Sequence, residues 1–124
     1  MFGRDFDSIK NNVIGKKIAD ITYQDDENVI LWFADVPKGL HLNLEGDCCS
    51  HSYFADRTHF TDLIGTTIND VEHRSNGSID KEYFDVTSLH CLVFITDKGH
   101  FTIDWRNDSN GYYDGWVNFL IVDM

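Results

Sequence analysis

Apolar and polar residues alternate with a period of two along much of the chain. Leu40, Leu42 and Leu44 alternate with His41, Asn43 and Glu45, and Phe101, Ile103 and Trp105 alternate with His100, Thr102, Asp104 and Arg106. This is the pattern of strands with one buried and one wet face, because successive strand side chains point to opposite sides. The pattern predicts strands near residues 17–24, 28–35, 39–45, 67–73, 89–96 and 100–106. Residues 116–122 (Trp-Val-Asn-Phe-Leu-Ile-Val) are apolar enough for a last strand, buried on both faces or packed against another subunit. Between these runs stand the turn-forming stretches 24–28, 37–39, 75–78 and 107–111, rich in Asn, Asp, Ser, Gly and the single Pro.

Two stretches break the period of two. Phe6, Ile9, Val13 and Ile14 have roughly helical spacing ahead of Gly15, which suits a left-handed helix end. Residues 50–64 carry an uneven apolar stripe of Tyr53, Phe54, Phe60, Leu63 and Ile64 ahead of Gly65, which predicts a second helix. The segments around the two glycines are alike: residues 13–21 and 63–71 share two apolar residues, Gly, two polar residues, Ile, any residue, Asp and a β-branched residue. The likeness extends from 29–33 to 91–95 and from 38–44 to 98–104. Two copies do not make a solenoid. They predict one α+β domain over residues 1–124, mainly an antiparallel sheet, built from two helix-plus-three-strand halves (roughly 5–47 and 52–107) and a C-terminal strand.

A length of 124 residues with 42% hydrophobic and 14% aromatic residues suits one domain with a substantial core. Ten Lys and Arg against 21 Asp and Glu give a formal charge of -11, which opposes binding to duplex nucleic acid. The first ten residues hold Arg4, Asp5 and Asp7 and no apolar run, so neither a signal peptide nor a membrane span is expected, and a cytoplasmic location follows. Three cysteines, with Cys48 and Cys49 adjacent, read most economically as reduced thiols.

Candidate chemistry is sparse. Asp47-Cys48-Cys49-Ser50-His51 lacks the paired spacing of a structural zinc site, so no metal is expected. Cys49 with His51 or His59 is the local arrangement that suggests a nucleophile, but nothing positions a base, and Glu45, Asp47 and Asp56 surround it with negative charge. No phosphate-binding loop, dinucleotide fingerprint or EF-hand spacing occurs, and no cofactor is expected. What remains suits a nucleotide: Arg57 and Arg106 for phosphate, Asn107 and Asn110 for base or ribose edges, and Tyr53, Tyr112 or Tyr113 for stacking. Arg106 paired with an acidic neighbour, and tyrosines lining an interface, form the plainer alternative.

Two segments carry a resemblance. The run Asp47-Cys48-Cys49-Ser50-His51-Ser52-Tyr53-Phe54 followed by Leu63-Ile64-Gly65, and the run Phe101-Thr102-Ile103 with Arg106-Asn107-Asp108-Ser109-Asn110-Gly111-Tyr112-Tyr113, resemble small proteins of phages and prophages, and through them the Thoeris anti-defence protein 1 group. That resemblance implies a sponge that sequesters a cyclic ADP-ribose isomer, and in some members cyclic oligonucleotides, without cleaving it. It further implies a homo-oligomer built from dimers, working in the cytoplasm of an infected bacterium. Arg57, Arg106, Asn107 and Asn110 are the contacts it carries over, and Phe84 stands for the aromatic that it implies against adenine. Asp114 departs from the glycine pair expected after the tyrosines and adds negative charge there. Two rival readings are an acidic inhibitor that mimics nucleic acid on a protein partner and a small enzyme using Cys49.

Overall fold

Eight strands form among the described residues. The computed structural model describes residues 6–47, 49–56, 58–80, 86–109 and 114–124. The strands are β1 (Ile18–Tyr23), β2 (Asn28–Phe33), β3 (Lys38–Gly46), β4 (His51–Phe54), β5 (Ile68–Asp80), β6 (Val86–Thr96), β7 (Gly99–Ser109) and β8 (Gly115–Asp123). They make two four-stranded antiparallel sheets, in the orders β1-β2-β3-β8 and β4-β7-β6-β5.

This corrects the α+β expectation. The helix anticipated before Gly15 is two single 3₁₀ turns, Phe6–Ser8 and Lys10–Asn12, and the one anticipated over 50–64 is β4 followed by a 3₁₀ stretch, Thr58–Leu63. The physical reason is visible in β4. Ser52 and Phe54 are buried while His51 is exposed and Tyr53 half-buried, a period of two hidden inside an apolar stripe that also fits a helix. Residues 75–78 likewise do not end a strand. They lie within β5, where Gly77 at φ +90° and a register shift between Ser75 and Ser78 form a bulge and the ladder continues.

The connections cross. After the meander β1-β2-β3 the chain leaves for the other sheet, where β4 pairs with β7; after β5-β6-β7 it returns, and β8 pairs with β3. Each meander therefore gives its following strand to the other sheet. At the crossing the sheets approach closely. A Cβ on Gly46 would lie 3.0 Å from Asn107 Nδ2 and against Ser50 Oγ, and one on Gly115 would collide with Ser52 Oγ and lie 2.6 Å from the Glu45 carbonyl oxygen.

Reciprocal bonds join the sheets where β1 and β5 begin. Gly15 N–H donates to Ile68 O and Gly65 N–H to Ile18 O, both at 2.8 Å, with both glycines at positive φ. A single hydrophobic cluster fills the space between the sheets, drawing on Leu31, Leu40, Leu42 and Leu44 of one and on Phe94 and Trp105 of the other. No helix among the described residues is long and apolar enough to cross a membrane.

Candidate functional site

Of the ligand contacts expected from the sequence, the structure describes Arg106 and Asn107, and these two face opposite sides of β7. Asn107 is fully buried at the crossing, its Nδ2 donating to Ser52 Oγ at 2.9 Å and reaching Ser50 Oγ at 3.2 Å. Its amide hydrogens are spent on holding the β3–β4 corner against β7. Arg106 is the neighbouring residue and, by strand alternation, faces the other way: it is exposed on the outer face of its sheet, paired across strands with Tyr53 and Leu89. With Asn76, Leu89, His90, Asp104 and Trp105 it lines a cavity of about 100 Å³. Tyr53 stacks on His51 at 5.4 Å. Arg57, Phe84, Asn110, Tyr112 and Tyr113 lie outside the described residues.

Cys49 is exposed at φ +72°, and the two histidines considered with it contact carboxylates. His51 Nδ1 lies 3.6 Å from Glu27, and His59 sits between Asp56 and Asp62 at 3.5 and 3.6 Å. Among the described residues no group of three His, Cys, Asp or Glu side chains is placed to hold a metal ion.

A different place has the geometry of a site. Between β8 at the edge of one sheet and the inner face of the other lies a cavity of about 250 Å³. Its walls are Phe6, Val71, Trp105, Trp116, Val117 and Phe119, with His73 and Gly115 completing the lining. Phe6, from the first 3₁₀ turn, meets Phe119 edge to face with centroids 5.5 Å apart, and both rings line the cavity.

Strand register puts the polar members in place. Trp105 is directly opposite His90 across β6 and β7, and His73 opposite Leu92, two residues from His90, so the two imidazoles are diagonal neighbours on one face. His90 lies flat on the indole of Trp105, with centroids 4.0 Å apart and planes 9° apart. Its Nδ1 is 3.0 Å from His73 Nε2, and its Nε2 is 3.0 Å from Asp114 Oδ1, which also accepts from the Gly115 N–H.

Burial, together with the neighbouring His90, lowers the pKa of His73, although Asp114 pulls the other way. Burial also lowers the pKa of His41, whose Nε2 donates to Asn28 Oδ1 at 2.9 Å. Both histidines therefore favour their neutral form in the fold, and the unfolded chain takes up more protons once the pH drops below the ordinary histidine value of about 6.5. The stability they contribute is complete above that value and is lost as pH falls from it through the lowered values in the fold. The melting temperature of the wild type should fall between pH 7.5 and 5.5. A His41→Gln, His73→Gln variant should show a shallower fall by calorimetry; an equal slope would show that these two groups do not carry the effect.

Residues 11–119 match the family model DUF7448, described as a domain of unknown function. A protein described as uncharacterized, from Acanthamoeba polyphaga mimivirus, is 30% identical over 107 residues, spanning 82% of this chain and 84% of the viral protein. No solved structure matches.

Proposed function

The chain belongs to the DUF7448 family, and we propose that it is a binding protein that captures a small planar ligand without transforming it. In the reading that the sequence resemblance supplies, that ligand is the base of a cyclic nucleotide signal, a cyclic ADP-ribose isomer or a cyclic oligonucleotide, withheld from Thoeris- or CBASS-type immunity. The observation that carries the proposal is the aromatic cavity. Rings such as those of Trp116 and Phe119 accept the face of any planar ring, and base-on-aromatic stacking contributes about 1–3 kcal/mol per base.

Size limits what enters. At about 250 Å³ the cavity is smaller than the roughly 300–1,000 Å³ that buries a whole drug-sized ligand, so one ring system goes in and the rest stays outside. Arg106 faces away from this cavity, and the chain's charge of -11 disfavours anions in general. Stacking in the pocket, more than phosphate neutralisation by Arg106, is therefore the contribution to test first.

Calorimetric titration with cyclic ADP-ribose isomers and with cyclic di- and trinucleotides tests the proposal. Wild-type protein should bind one of them, and heating the complex should return it intact. Trp116→Ala should weaken binding about tenfold, the equivalent of about 1.4 kcal/mol, whereas Arg106→Ala should leave it unchanged. Loss of binding in Arg106→Ala alone would move the site to the outer face of β7. Return of a hydrolysed product, or no binding to any of these ligands, would overturn capture of a cyclic nucleotide.

A further inference from the structure

Polar groups on the pocket wall form an ordered chain. An ionised carboxylate only accepts hydrogen bonds, so at the 3.0 Å contact between His90 Nε2 and Asp114 Oδ1 it is His90 that donates. A neutral imidazole has one N–H, so His90 Nδ1 is then an acceptor, and the 3.0 Å contact with His73 Nε2 requires the proton to sit on His73. The remaining nitrogen, His73 Nδ1, is left with a lone pair. The two imidazole planes are 26° apart with centroids at 5.0 Å, so the rings lie nearly edge to edge while both rest on Trp105. His90 is 4% exposed, and Trp105 is fully buried beneath it, which restrains rotation of the pair.

The lining also holds donors. The indole Nε1 atoms of Trp105 and Trp116, both from residues lining the cavity, are buried and have no hydrogen-bond partner among the described residues. Unpaired buried donors are uncommon in folded proteins, so the lining also suits a ring that carries an acceptor on its edge, separate from any group that meets His73.

We propose that the Asp114–His90–His73 relay is the selectivity element of the cavity: it holds His73 as a hydrogen-bond acceptor and so favours a planar heteroaromatic ligand that presents an N–H, whether a ring N–H or an exocyclic amine. This rests on the aromatic cavity being the ligand site. A ring of the same shape without the donor leaves the acceptor unmatched when it displaces solvent, and sites built around a hydrogen bond discriminate on that basis. His73 is a positioning and recognition residue here, and no bond is made or broken.

Indole and benzofuran form a suitable pair of probes, alike in shape and differing by N–H against oxygen. In ligand-detected NMR titrations at pH 8, wild-type protein should bind indole about tenfold more tightly than benzofuran. His73→Phe, which keeps a ring and removes the acceptor, should bring the ratio to about one. Independently, ¹⁵N spectra of the wild-type imidazoles should show His73 protonated at Nε2, a readout that needs no variant to fold. Equal binding of the two probes, or a His73 protonated at Nδ1, would overturn the relay's role while leaving the cavity as a binding site. Failure of both probes to bind would remove the cavity reading itself.

Discussion

Gly115→Ala should cost at least as much as the about 1–3 kcal/mol typical of forcing extra atoms into a packed interior, and enough to unfold a marginal domain. The added Cβ would collide with Ser52 Oγ and lie 2.6 Å from the carbonyl oxygen of Glu45 and 3.0 Å from Asn107 Nδ2. One of these atoms is backbone and the others belong to side chains already bonded across the crossing, with Ser52 Oγ donating to Glu45 O at 2.8 Å. Nothing there gives way cheaply. Gly77→Ala is the control: it too lies at a glycine, at φ +90°, but no atom lies within 4 Å of a Cβ there. Its cost should stay near the roughly 1–2 kcal/mol of a left-handed backbone. Urea denaturation of the two variants measures the difference, and equal costs would mean that the sheets do not abut at Gly115. Ser52→Gly in the Gly115→Ala background should recover part of the loss, because it removes one of the two closest obstacles, and a double-mutant cycle would register the coupling.

Trp105→Ala should destabilise the protein by about 3–5 kcal/mol, the range for removing a large buried aromatic. Trp105 is fully buried and among the largest side chains of the core. The same indole carries the stacked His90 and forms part of the cavity wall. Trp105→Phe should cost much less, since it keeps most of the volume and a ring face for His90 and removes an Nε1 that is buried without a partner among the described residues. Denaturant unfolding gives both values. A loss below about 1 kcal/mol for Trp105→Ala would be incompatible with a core position, given the cavity such a truncation leaves.

The individual strands were largely legible because alternation is a local property. Leu40, Leu42 and Leu44 are all fully buried, and Ile103 and Trp105 are fully buried between exposed neighbours at 102, 104 and 106. Short apolar runs were less so. Residues 6–14 and 50–64 have spacings that a helix accommodates, and among the described residues no α-helix forms in either, because packing between two sheets favours the extended form of 51–54 and leaves short 3₁₀ segments elsewhere. The turn composition of 75–78 misled for a related reason: Gly77 serves a bulge, where pairing with β6 resumes at Ser78.

The candidate site was hidden by sequence distance. His73, His90 and Asp114 come from β5, β6 and the residue before β8, and their contacts span 17 and 24 residues. A usable signal was present: histidines at inward-facing positions of two adjacent strands, beside an inward tryptophan. Reading it needed the register of β5 on β6, which a bulge displaces. Asn107 shows the opposite problem. Its place in a turn-like, amide-rich stretch suggested a ligand contact, but β7 runs on to Ser109, and alternation turns Asn107 inward to Ser50 and Ser52.

By itself the sequence determined which residues can face a core, where the chain can reverse at Gly15 and Gly65, and that the molecule carries a large negative charge. The tertiary structure alone decided that β4 and β8 exchange sheets, that Gly46 and Gly115 are needed where they cross, and that Trp105 gathers His73, His90 and Asp114 beside an aromatic cavity. The division has a physical cause. Side-chain periodicity is set by backbone geometry within a few residues, whereas partner strands, their register and the closeness of two sheets are set by contacts between segments that lie far apart in the chain.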